Sequence, residues 1–136
     1  MKKLIMITFV LVLAACGTKI LAPPVKSAGE EAGYKMISVD ELSQALKDKD
    51  FLFINVHIPL EGNIPETDKE IAYDQIEKQI SKFPVDKNAK IILYCRSGSM
   101  GNTAAQTLAN LGYTNVFNLE GGYNAWKAAG NQFPDK

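Results

Sequence analysis

Histidine and tryptophan each occur once in this chain of 136 residues and cysteine twice, and the fifteen basic side chains are cancelled by fifteen acidic ones. With no net charge, no basic stripe and no interleaving of aromatic and basic residues, a nucleic-acid partner is not expected. Bulk electrostatics therefore selects no partner. Long apolar runs are also scarce: Leu4 to Ala15, interrupted only by Thr8, is about a dozen residues, well short of the roughly 20 that span a bilayer. There is no internal repeat. What remains is an ordinary globular composition, 46% hydrophobic and 22% charged, in a length that suits one packed core.

The N-terminal run follows Lys2 and Lys3 and closes on Leu13-Ala14-Ala15-Cys16. This pattern resembles a bacterial lipoprotein signal, which implies cleavage before Cys16 and lipidation of that residue. Residues 1–15 are then a signal peptide, and anchoring comes from acyl chains and not from a helix. The expected location is outside the cytoplasm, at the cell envelope, facing the periplasm or the cell surface. An ordinary cleaved signal with an incidental cysteine is the alternative. Residues 16–33 hold the lipidated cysteine and a stretch with Pro23-Pro24, several Gly and Ala and no periodicity, which reads as a flexible tether. As a coil, its length corresponds to about 20–25 Å.

Lipidation of Cys16 leaves Cys95 without an intramolecular disulfide partner. A single histidine, His57, and no second thiol give little support to a zinc site, and no metal or other cofactor is expected. An unpaired thiol in an exported protein points to reactivity.

From residue 34 to 136 strands and helices alternate. "YKMI" is a short strand. Ser38, with Glu41 three residues on, opens a helix whose inner face is Val39, Leu42, Ala45 and Leu46. "FLFINV" and "KIILYC" are continuous apolar runs of strand length, as buried parallel strands require. "EIAY" is a candidate short strand. Asp74 and Glu77 predict a further helix, striped by Ile76, Ile80 and Phe83 and stopped by Pro84. A helix with Ala104, Ala105, Leu108 and Leu111 inward ends at Gly112; "NVFNL" is the last strand and "GGYNAWKAAG" the last helix. Short connections between alternating strands and helices imply an α/β domain, a central parallel sheet with helices on both faces.

In open parallel sheets the working site lies beyond the C-terminal ends of the strands, where Cys95 falls. The residues after it, Arg96-Ser97-Gly98-Ser99-Met100, are mostly small, and a helix is expected to start about six residues beyond the cysteine. Such a loop can curl and turn its amides inward, so that a nest and a helix N-terminus stabilise an anion. The anion available is the Cys95 thiolate, which makes a nucleophile with no histidine base. A buried structural cysteine is the bland alternative.

The stretch "YCRSGSMGNTAAQTLANLGYTNVFNLEGGYNAW" resembles the active-site half of rhodanese-like sulfurtransferases. Cys95-Arg96-Ser97-Gly98 matches the start of the six-residue loop, and Gly121-Gly122 with Trp126 matches the C-terminal signature. The resemblance implies a rhodanese-like three-layer domain. Its catalytic residue would be Cys95, which takes sulfane sulfur from thiosulfate, polysulfide or a persulfide. Donor binding would fall to Arg96, Ser97, Gly98, Ser99, Met100 and Gly101, and the acceptor would be cyanide or a thiol, including a protein thiol. A non-catalytic sulfane-sulfur carrier is the alternative.

Three departures from the family pattern bear on the donor. Met100 stands where Arg or Thr is common, which leaves Arg96 the only charge in the loop and favours a donor other than thiosulfate. Asn55-Val56-His57 replaces Asp-Val-Arg: Asn55 can keep hydrogen bonds that an Asp would make, and His57 is a candidate donor contact. "EGNIPETD" replaces the usual His-Ile-Pro-Gly. Phosphatases and arsenate reductases of the Cys-x5-Arg type are disfavoured, because the sixth residue after Cys95 is Gly101. Trp126 and Tyr94 read as core, and Gly121 and Gly122 as a turn with at most an indirect effect on the loop.

Overall fold

The computed structural model describes residues 33–134. The signal segment, Cys16 and nearly all of the tether lie outside the described residues.

Five strands form one parallel sheet: β1 (Lys35–Ile37), β2 (Leu52–Asn55), β3 (Lys69–Glu70), β4 (Ile91–Tyr94) and β5 (Val116–Leu119), in the order β1-β5-β4-β2-β3. Among the described residues three α-helices cover it: α1 (Val39–Ala45), α2 (Ser99–Asn110) and α3 (Gly122–Ala128). Side chains alternate across each strand, and here both faces are covered, so the central strands need apolar residues at every position. In β4, Ile91, Leu93 and then Cys95 pack on one face with Ala104, Ala105 and Leu108 of α2. Ile92 and Tyr94 pack on the other with Leu42 of α1 and Tyr123 and Trp126 of α3. This is the three-layer architecture expected from the sequence.

Local chemistry fixes the element ends. At α1 the capping box is complete: Glu41 N–H donates to Ser38 Oγ at 3.2 Å, and Ser38 N–H donates to the Glu41 carboxylate at 2.8 Å. "EIAY" contributes one residue to β3, which begins at Lys69. Ile71 and Tyr73 continue its pairing by donating to the carbonyls of Asn55 and Val56.

The helix expected over Asp74–Phe83 does not form. The segment is a series of turns ending in a 3-10 turn at Ile80–Lys82, held mostly by bonds to the third residue back. Gln79 sits at φ −109°, ψ 20°, outside the helical well, so an α pattern cannot propagate through it. Ile76 and Phe83 are buried all the same, and Ile80 packs against them. The apolar stripe thus reaches the core without a helix.

Candidate active site

Cys95 follows the last residue of β4, and its neighbours place it at the C-terminal edge of the sheet. Asn55 pairs with Tyr94, and Val56 N–H donates to the Tyr94 carbonyl at 2.9 Å. Cys95 as a whole is 1% exposed. The helix expected about six residues beyond Cys95 begins four beyond it, at Ser99. Arg96, Ser97 and Gly98 are therefore the whole loop, and Ser99, Met100 and Gly101 form the first turn of α2. Gly98, at φ 112°, is the N-cap residue and supplies no side-chain cap. The sulfur occupies that role: Cys95 Sγ accepts from Gly98 N–H at 3.0 Å and from Gly101 N–H at 3.4 Å. Two backbone donors and the positive end of a 12-residue helix thus converge on one sulfur atom.

The other loop residues divide in two. Arg96, Ser97 and Ser99 are exposed, while Met100 is partly buried and packs against the same apolar cluster as Cys95.

Two supports hold the loop from behind, and the sequence reading missed one of them. Asn118, in the middle of β5, is fully buried; its Nδ2 donates to the Gly98 carbonyl at 3.0 Å and to Asn102 Oδ1 at 2.8 Å. Its side chain fills the space where Gly101 lacks one: a Cβ at Gly101 would lie 2.0 Å from Asn118 Oδ1. The only sequence signal was a polar residue inside a buried strand. The second support is α3. Tyr123 N–H donates to the Cys95 carbonyl at 2.9 Å, and Asn124 N–H to the Arg96 carbonyl at 3.1 Å. Gly122, at φ 58°, makes this approach possible, because a Cβ there would meet the Cys95 carbonyl oxygen at 2.2 Å. The glycine pair therefore touches the loop directly, where only an indirect effect was expected.

Asn55 is buried beside the site. Its Oδ1 accepts from His57 N–H at 3.0 Å, as an Asp could, but its Nδ2 also donates to the Gly62 carbonyl and to Asn63 Oδ1, each at 2.9 Å. An Asp could make neither of these. Tyr94 is structural, as expected: its hydroxyl accepts from Ile64 N–H at 3.0 Å and pairs with Thr67 Oγ1 at 2.8 Å, and burial pushes its ionisation up to about 12.

At the rim the structure gathers a charged group that sequence spacing did not reveal. Glu61 Oε1 lies 3.5 Å from Arg96 Nη1, and Glu61 Oε2 lies 3.8 Å from His57 Nε2. Tyr123 Oη donates to the same Oε2. That bond holds the Glu61 carboxyl below its ordinary value, with Arg96 and His57 acting in the same direction against burial. The His57 side chain is 8% exposed, and neither ring nitrogen has a hydrogen-bond partner among the described residues. Burial lowers its ionisation, Glu61 opposes that, and Arg96 reinforces it.

Residues 38–129 match the family model described as a rhodanese-like domain. A protein of Allochromatium vinosum named sulfurtransferase is 35% identical over 98 residues, covering 69% of this chain and 89% of that protein. A tRNA uridine(34) hydroxylase of Yersinia enterocolitica is 27% identical over 92 residues, 63% of this chain but 26% of that protein. Among solved structures, a rhodanese-like domain protein from Staphylococcus aureus superposes with a TM-score of 0.62 at 28% identity, covering 74% of this chain and 98% of that one.

Proposed function

The chain belongs to the rhodanese-like domain family, and from that membership we propose that it is a sulfurtransferase acting through a persulfide on Cys95. The observation that carries the reading is the Cys95 sulfur under the Gly98 and Gly101 amides. The relative named sulfurtransferase, matched over most of its length, supports it. The hydroxylase shares only a quarter of its length with this chain and does not carry its activity across.

The chemistry is two displacements at sulfur. The Cys95 thiolate attacks the outer, sulfane sulfur of a donor; the donor's S–S bond breaks and its electron pair departs with the leaving group. The resulting Cys95–S–S⁻ keeps its charge near the loop amides. An acceptor nucleophile, cyanide or a thiolate, then attacks the outer sulfur, and the Cys95 thiolate leaves. Sulfur moves with no net change in oxidation state, so the cycle needs no redox cofactor. Arg96, Ser97 and Ser99 line the approach, and Asn55 and His57 stand behind it.

Turnover is the test. The purified domain, given a sulfane-sulfur donor and excess cyanide or dithiol, should form many equivalents of product per protein, and Cys95→Ser none. One equivalent per Cys95 and no more would favour the carrier reading; equal rates for wild type and Cys95→Ser would end the sulfur-transfer reading altogether. For the N-terminal segment we propose lipidation at Cys16, with the domain held outside the cytoplasm. Cys16→Ser should then leave the membrane fraction, and unchanged partitioning would refute this.

A further inference from the structure

The rim of the Cys95 loop carries one cation of its own, Arg96, and that cation is already engaged. Its guanidinium stands 3.5 Å from Glu61, whose second oxygen takes the Tyr123 hydroxyl and faces His57. Glu61 comes from the segment after β2, Arg96 from the loop and Tyr123 from α3, so three separate pieces of chain meet at one carboxylate next to the Cys95 loop. Lys127 is near enough to favour the carboxylate form as well. Met100, the other loop position in question, packs into the apolar cluster. The charge that an incoming donor meets is therefore set by Glu61 as much as by Arg96.

We propose that Glu61 is the donor-selecting residue of this site: it disfavours a small dianion such as thiosulfate and favours sulfane sulfur borne on a thiol, RS–SH. The inference rests on the sulfur-transfer reading above. A dianion docking at this rim needs unopposed cations, and here the guanidinium faces a negative charge at 3.5 Å, close enough for that charge to oppose an incoming anion. The form of a thiol-borne persulfide that a thiolate can attack is the protonated RS–SH, whose reacting sulfurs carry no charge for Glu61 to repel. In the reaction, the Cys95 thiolate attacks the terminal sulfur of RS–SH and the S–S bond breaks. The departing thiolate takes the proton of the donor's SH, giving Cys95–S–S⁻ and RSH.

The test compares how fast Cys95 gains one sulfur, by intact mass, from thiosulfate and from glutathione persulfide at equal concentration. Wild type should load faster from glutathione persulfide by about tenfold or more. Glu61→Gln removes the charge but still accepts the Tyr123 hydroxyl, and should raise the thiosulfate-to-persulfide rate ratio by about tenfold, the scale of one unit charge at a partly solvated site. Both donors are read on one preparation, so partial unfolding lowers both rates and leaves the ratio meaningful. A ratio unchanged within about twofold, or a wild type that prefers thiosulfate, overturns the proposal while leaving sulfur transfer intact. If neither donor places sulfur on wild-type Cys95, the sulfur-transfer reading fails and takes this one with it.

Discussion

Gly122→Ala tests whether α3 holds the active loop in place. A Cβ at this position would sit 2.2 Å from the Cys95 carbonyl oxygen and 2.6 Å from the carbonyl carbon and oxygen of Arg96. These are backbone atoms of the loop itself, so no side-chain rotation relieves the clash. Gly122 also lies at φ 58°, where an L-residue costs about 1–2 kcal/mol. To make room, α3 must withdraw, which weakens the bonds from Tyr123 N–H to the Cys95 carbonyl and from Asn124 N–H to the Arg96 carbonyl, each worth about 1 kcal/mol. Restricting the unfolded chain returns about 0.4–1 kcal/mol. The net loss is about 2–4 kcal/mol, which for a domain of this size lowers the melting temperature by about 10–20 °C.

The control is Gly112→Ala, at φ 92° with nothing within 4 Å of an added Cβ, which carries backbone strain without a clash. Circular dichroism melts and the sulfur-transfer rate of the folded protein report the two effects. Gly122→Ala should melt well below Gly112→Ala and transfer sulfur more slowly even when folded, because the carbonyls behind the thiol have moved. If the two variants melt together and transfer at the wild-type rate, the loop does not depend on α3.

Two further substitutions probe the residues behind the rim. Asn55→Asp, which restores the residue type common in the family, should destabilise the domain by about 2–4 kcal/mol, because a carboxylate would face the Gly62 carbonyl and Asn63 Oδ1 with nothing to donate. Urea unfolding at neutral pH reads this, and wild-type stability would refute it. His57 gives a pH signature. Its ionisation is lowered in the folded protein from an ordinary 6.5, so the unfolded chain takes up the proton first as pH falls. Its contribution is present above that value and is lost as pH drops below it toward the lowered folded value. The lowered Glu61 carboxyl produces a similar loss, but below 4.5. Unfolding curves between about pH 7.5 and 5 should therefore fall more steeply for wild type than for His57→Gln, and parallel curves would refute the burial account.

How much of this was legible in the sequence depended on whether the signal was local. β2 and β4 read as buried strands because both faces of a parallel sheet are covered, leaving uninterrupted apolar runs. Ser38 and Glu41 read as a cap because a capping box lies within four residues. Cys95 read as a nucleophile because a strand, a short loop of small residues and a helix follow one another directly. The segment from Asp74 to Phe83 failed because apolar spacing records which side chains are buried and not how the backbone carries them there. Asn118 and Glu61 were invisible for a different reason. Each acts on a loop far away in sequence, and neither a lone polar residue in a strand nor one acid in an irregular stretch shows where the chain will bring it.

The central claim is that the Cys95 sulfur, held by the Gly98 and Gly101 amides, is the atom that accepts sulfur. Exposing the protein briefly to glutathione persulfide, trapping it with an alkylating agent and mapping its peptides by mass tests this most directly. One added sulfur should appear on the peptide that contains Cys95 and none elsewhere. An unmodified Cys95 peptide, or added sulfur equally present in Cys95→Ser, would contradict it.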